Sequence, residues 1–327
     1  MDPLYHAHQK VDQYEILSRL PDSQGCQRYL AQDWQHFRQV LLKIPAGFPV
    51  GGKDVAQSIE QEATLSTSLN PSLFQQALDQ QEKRPGRYLV LEYLTDQTLR
   101  HCQKFAESEG LQVSEIVRII TAVCDALALL HAQGIMHRDL KPEYILLSET
   151  GAVKLTGLGL AQSLGSVRRN WERVGFPVGT PDYLAPELWW GHPGSVQSDI
   201  YAVGILLYEL LGGHPPFGQT THYRLLLPQL AYDPPDLLLV CPMVNQHLAT
   251  VIMRAIRRDP ARRYGSIEAL RADLVALEQV TPVVYQPDPP AWGGQYRLIL
   301  LLLLLTLVML AGLVVLGLLA QLIHAVS

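Results

Sequence analysis

The chain has 327 residues, 48% of them hydrophobic and 17% charged, with a formal net charge of −5. That length accommodates one large two-lobed domain or two ordinary ones. The acidic balance, with no basic run beyond pairs such as Arg168–Arg169 and Arg257–Arg258, excludes a nucleic-acid binder held by charge. Cys26, Cys102, Cys124 and Cys241 lie far apart without C-x-x-C spacing, which points to free thiols in a reducing compartment rather than zinc ligands or disulfides.

Met1–Lys10 is polar, so no N-terminal signal peptide is visible, and 1–13 reads as a tail. Short runs rich in apolar, β-branched and aromatic residues then predict strands at Tyr14–Leu20, Gln27–Asp33, Gln39–Ile44 and Arg87–Tyr93. Between the last two, Asp54–Leu69 places apolar residues at 55, 59, 63, 65 and 69, an imperfect helical period. Helices dominate afterwards. One is expected from Ser114, as N-cap, to a stop at Gly134. Asp199–Leu211 is apolar nearly throughout, as in a helix buried all round, and Ser266–Leu277 is amphipathic.

The end of the sequence changes character. Residues 281–297 hold four prolines and the pair Gly293–Gly294, the composition of a semi-rigid tether. From Leu298 to Ala320 no charge interrupts the apolar run. Roughly 20 such residues cross the hydrocarbon core of a bilayer. Trp292 and Tyr296 precede the run, where amphipathic rings favour the interface, and Arg297 favours a cytoplasmic N-terminal side. The expectation is a single-pass membrane anchor with a short tail, 321–327, and no outer domain. The run contains no G-x-x-x-G, so helix pairing is not signalled.

Several strings carry chemistry. Residues 137–147 read H-R-D-L-K-P-E-Y-I-L-L, 154–161 read K-L-T-G-L-G-L-A, 179–187 read G-T-P-D-Y-L-A-P-E, and 198–217 run from S-D-I-Y-A-V-G to H-P-P-F. With V-L-L-K ending at Lys43 and R-D-P-A-R-R-Y ending at Tyr264, these resemble the protein kinase superfamily, nearest its bacterial serine/threonine members. The resemblance covers roughly residues 14–277. It implies an α+β, two-lobed kinase-like fold: a small β-rich N-lobe over 14–94 and a larger helical C-lobe over 95–280, followed by one C-terminal transmembrane helix.

The same resemblance assigns residues. Asp139 matches the Asp that accepts the substrate hydroxyl proton, and Lys141 would steady the transferred phosphoryl group. Arg138 could meet an activation-loop phosphate, with Ser163, Ser166 and Thr180 as acceptors near Arg168, Arg169 and Arg173. Lys43 matches the strand lysine that holds the α- and β-phosphates. Its expected helix partner is Glu62, with Glu60 as second candidate, although that pair could equally be a purely structural tie. Leu91 flanks the back of the nucleotide pocket. Asp199 is expected to accept hydrogen bonds from the catalytic-loop backbone, and Arg263 to pair with Glu187.

Departures fall where nucleotide and metal should sit. Family members hold two magnesium ions with an Asn and an Asp, and the matching positions are Tyr144 and Gly157. A phenol is a poor ligand for a hard cation, and glycine offers no side chain. In the phosphate-covering stretch Pro21–Arg28, Pro21, Ser23 and Cys26 replace three glycines, Gly25 could serve after a one-residue shift, and Arg28 replaces the residue that covers adenine. Leu41 replaces a small residue in the roof of that pocket. Glu143 and Glu149 are the only nearby acids, and the first is expected to point away. Magnesium binding is therefore not expected, and ATP binding stays open. The expected function is that of a membrane-anchored pseudokinase signalling through protein partners, such as an active kinase or its substrates. The alternatives are an active or weak ATP-dependent serine/threonine kinase with an atypical metal site, and a domain that binds nucleotide without metal as a switch.

Overall fold

The computed structural model describes residues 4–23, 25–46, 55–80, 88–94, 97–105, 111–148, 150–163, 179–189, 192, 194–218 and 231–288. A six-stranded antiparallel sheet forms the first lobe: β1 (Lys10–Val11), β2 (Tyr14–Ser23), β3 (Cys26–Asp33), β4 (Arg38–Pro45), β5 (Ala77–Gln80) and β6 (Leu89–Glu92), in the order β1-β2-β3-β4-β6-β5. The sheet begins at Lys10, inside the segment read as a tail, and Leu4 N–H and Tyr5 N–H reach back to Gln27 and the Tyr29 hydroxyl. β2 runs to Ser23, past its expected end at Leu20, because a register shift between Leu20 and Ser23 takes Pro21 out of the ladder, so its missing N–H costs no hydrogen bond. Gly25 turns the chain into β3 with φ 74°.

Alternation along β4 sorts the lobe into two layers. Val40, Leu42 and Ile44 face one side with Tyr14, Ile16 and Tyr29, while Leu41 faces the other with Leu89, Leu91 and helix α1 (Val55–Ser68), through Val55, Ile59 and Ala63. Period two therefore delivers Lys43 to the same face as Leu41, towards α1.

The second lobe contains β7 (Gln97–Thr98), α2 (Leu99–Phe105), α3 (Val113–Ala132), β8 (Ile135–Met136), β9 (Ile145–Leu147), β10 (Val153–Leu155), β11 (Gln162–Ser163), α4 (Pro186–Trp189), α5 (Val196–Gly212), α6 (Leu237–Val240), α7 (Gln246–Ala255) and α8 (Ile267–Val275). Two small sheets, β10-β9-β7 and β11-β8, present the loops between them. Ser114 is not the cap of α3: the first turn bonds Ile116 N–H to the Gln112 carbonyl, which puts Ser114 inside the helix. α5 is the buried axis, with every residue from Ser198 to Glu209 buried, and a reciprocal Ser195/Ser198 capping box starts it. Gly204 lets α5 approach α7: a Cβ there would stand 2.4 Å from Ile256 Cγ2 and 2.9 Å from Ala255 Cβ.

Residues 281–288 are no free tether, because they run along α7 and the chain beside it. The Tyr285 hydroxyl donates to the Pro234 carbonyl at 3.0 Å, and Asp288 N–H donates to Asp233 at 2.6 Å. No described helix is long and apolar enough to cross a membrane, and the run 298–320 lies outside the described residues.

Candidate active site between the lobes

The catalytic loop is held from below. Asp199, on the first turn of α5, accepts His137 N–H at 2.9 Å, Arg138 N–H at 3.0 Å and a contact from His131 Nε2 at 2.9 Å. Burial pushes the Asp199 carboxyl up, but His131 and the backbone donors outweigh it and hold the group below its ordinary value. Arg138 occupies the left-handed region at φ 67°, a conformation that this bracing enforces. Farther back, Arg263 grips both oxygens of Glu187 at 2.8 Å and stacks on the Tyr201 ring. That pair ties the chain before α5 to the chain after α7.

Lys43 and Glu62 meet as a buried ion pair, 5% and 2% exposed in their side chains, joining β4 to α1. Of the two candidates, Glu62 is the partner this pair shows. Leu91 and Leu41 are both buried beside α1. Asp139 is buried, and its Oδ1 accepts the Thr180 hydroxyl at 2.9 Å. Thr180 is thus turned inward onto the catalytic-loop carboxylate. Ser166, Arg168, Arg169 and Arg173 lie outside the described residues, as does Glu149.

At the position of the metal-holding Asn stands the Tyr144 ring, 2% exposed. It lies against Gly157 so closely that a Cβ at 157 would fall 2.5 Å from Cδ2, 2.6 Å from Cγ and 2.7 Å from Cε2 of the ring. Gly157 also has φ 80°, where other residues are strained. The two replacements are therefore one structural change: the ring fills the space through which a side chain at 157 would leave the backbone. The phenol continues across the cleft and hydrogen-bonds Ser23 Oγ at 2.8 Å, 121 residues away on β2. Lys141 Nζ sits 4.5 Å from the same ring's centroid, as a cation over a π-face. Burial and the neighbouring Asp139 push the Tyr144 hydroxyl far above the ordinary phenol value, so it is a neutral group at any physiological pH.

Arg28 Nε donates to the Pro21 carbonyl at 2.8 Å, and its charge lies within reach of Tyr144, Glu62 and Asp22. Cys26 is buried, its thiol pushed up to about 11 chiefly by burial, and is inert. Glu143 is bound by Arg100 Nε at 2.9 Å in a cluster with Glu209 and Tyr183, away from the cleft.

Magnesium does not fit this donor set. The carboxylate-bearing position has no side chain, the amide-bearing position presents an aromatic ring whose hydroxyl is engaged by Ser23, and the nearby Glu143 is held through one oxygen by Arg100. No cluster of three His, Cys, Asp or Glu able to hold a metal occurs among the described residues.

The protein kinase domain profile matches residues 50–275, more than half the chain. The chain belongs to the protein kinase family. Relatives of this kinase-family chain include the probable serine/threonine-protein kinase PknB of Lactococcus lactis, 35% identical over 81% of this chain and 42% of that protein. Another is serine/threonine-protein kinase PrkC of Bacillus subtilis, 30% identical over 80% of this chain and 40% of that one. The chain spans less than half the length of these two relatives. Serine/threonine-protein kinase PknL of Mycobacterium tuberculosis is 30% identical over 82% of this chain and 67% of that protein. In fold, the chain is similar to the PknI kinase domain of Mycobacterium tuberculosis, with a TM-score of 0.65, 21% identity, and coverage of 84% of this chain and 99% of that domain.

The family's layout makes Asp139, Lys43 and Glu62 legible in sequence. The Ser23–Tyr144 bond, the inward-turned Thr180 and the Arg100 cluster were not. Residue type alone marked Tyr144 and Gly157 as departures from the family pattern, but that the ring occupies the space of a side chain at 157 needs the fold.

Proposed function

We propose that the chain is a membrane-anchored pseudokinase that signals by binding protein partners. The observation that carries the reading is the Tyr144 ring, lodged on Gly157 and bonded to Ser23, in the place of the family's metal site. Magnesium offsets charge that builds on the transferred phosphoryl group, and losing such a clamp costs several kcal/mol, or on the order of 10⁴-fold in rate. The Lys43–Glu62 pair, the Asp199 brace and the Glu187–Arg263 pair support a kinase-like scaffold kept rigid for recognition, with Asp139 kept as architecture. The apolar run 298–320 supports the anchor, with the kinase-like domain on the cytoplasmic side.

The retained Asp139 and buried Lys43–Glu62 pair favour a second reading, weak ATP-dependent serine/threonine phosphorylation through an atypical metal arrangement. A transfer assay with labelled ATP and magnesium or manganese, on the full chain in detergent, separates the two. The pseudokinase reading expects no transfer above an Asp139→Asn control. Transfer that this substitution abolishes establishes the second.

A further inference from the structure

The segment that leaves the C-lobe is strapped down as far as Asp288. Val283 N–H donates to Thr250 Oγ1 at 3.2 Å, the Tyr285 ring lies 4.6 Å from the Arg257 guanidinium, and the Gln286 carbonyl accepts Arg257 Nη1 at 2.6 Å. The buried Asp233 takes Asp288 N–H at 2.6 Å and Arg258 N–H at 3.1 Å. With its path fixed, the strap shows Val283 and Val284 to solvent, 62% and 76% exposed. They border a groove of about 360 Å³ whose other wall includes Leu238 of α6 and Met253 of α7. Beside Leu238 the chain exposes Leu239 at 80% and, just past α6, Met243 at 93%. Val283 and Val284 line the groove, and Leu239 and Met243 are exposed on and just past the helix whose Leu238 lines it; large apolar side chains facing water in this way mark an interaction surface.

We propose that this face of the C-lobe rests on the bilayer surface, inserting Leu239, Met243, Val283 and Val284 among the lipid headgroups. The inference rests on reading 298–320 as a membrane span. Nine residues, ten chain steps, separate Asp288 from Leu298, so the strap ends no more than about 35 Å from the apolar run, whatever path lies between. A connection that short holds the face near lipid at an effective concentration on the order of mM, and weak apolar insertion suffices. Charge does not drive the contact: Arg262 is paired with Asp288, Arg254 has Asp273 at 3.9 Å, and Asp236 lines the groove. Uncharged phosphatidylcholine should therefore serve.

The test is photo-crosslinking of the full chain in phosphatidylcholine nanodiscs carrying a lipid with a diazirine near the headgroup, with adducts mapped by mass spectrometry. The N-lobe hairpin with Trp34 and Phe37, 52% and 81% exposed, is the control for mere apolar exposure. Expected are adducts in 298–320, and adducts on 238–243 and 283–284 at least about tenfold above the hairpin, in line with that tether-enforced proximity. The face adducts should fall to hairpin level in Leu239→Glu/Met243→Glu, which changes only exposed side chains. Adducts in 298–320 with the face at hairpin level overturn the proposal, leaving the patch to a protein partner or to water. No adducts in 298–320 overturn the anchor reading and this proposal together.

Discussion

Tyr144 and Gly157 behave as a lock and its recess, which makes their energetics non-additive. Gly157→Asp alone forces a Cβ into the Tyr144 ring at a positive φ and should cost about 2–3 kcal/mol of stability, the usual scale of overpacking and strain. Tyr144→Asn alone leaves a hole. In the double variant the ring is gone and the clash with it, so denaturant titration should show a favourable coupling of at least about 1 kcal/mol. Simple addition of the two losses would mean the ring and the glycine do not depend on each other. Asp199 gives a pH-dependent counterpart. Its folded carboxyl lies below the ordinary 3.8, so its stabilisation is complete above that value and disappears as pH falls through the folded value. Asp199→Asn should cost about 3 kcal/mol at pH 7, as for breaking a buried charge network, and the deficit should shrink below about pH 4. A deficit constant down to pH 2 would contradict the assignment.

Among elements, α5 carries the C-lobe, and Gly204 is where it touches α7. Gly204→Val should lower stability by about 2–3 kcal/mol, read from the thermal or denaturant midpoint, because no flexible side chain can yield to the new methyls. Much of this level was legible. Periodicity placed α1, α5 and α8, and apolar runs placed β2, β3, β4 and β6, because burial on a sheet or helix face writes its period into the chain. Ends were less legible. Ser114 looks like a cap by type, yet the helix starts at Val113 because Gln112 already accepts the first intrahelical bond. The 281–288 strap was not legible at all. Proline content reports the absence of helical period, whereas docking depends on groups such as Asp233 and Thr250 that sit far away in sequence.

At the scale of the whole molecule, the two lobes meet through the Tyr144–Ser23 bond across the cleft and through the Gln61 side chain of α1 on the Ala161 carbonyl. Both contacts are made by the protein's own groups and require no nucleotide. The family layout was readable from sequence because catalytic-loop and α5 strings are spaced by the fold itself. The cross-lobe bond was not, since it joins residues 121 apart whose types alone predict no contact.

The most direct measurement is the thermal unfolding midpoint of the full chain with ATP, with and without magnesium, beside Tyr144→Asn/Gly157→Asp. The expected result is no magnesium-dependent shift in the unaltered chain and a saturable one of several degrees in the double variant, which regains both ligand types. A saturable, magnesium-dependent shift in the unaltered chain would contradict the closed metal site.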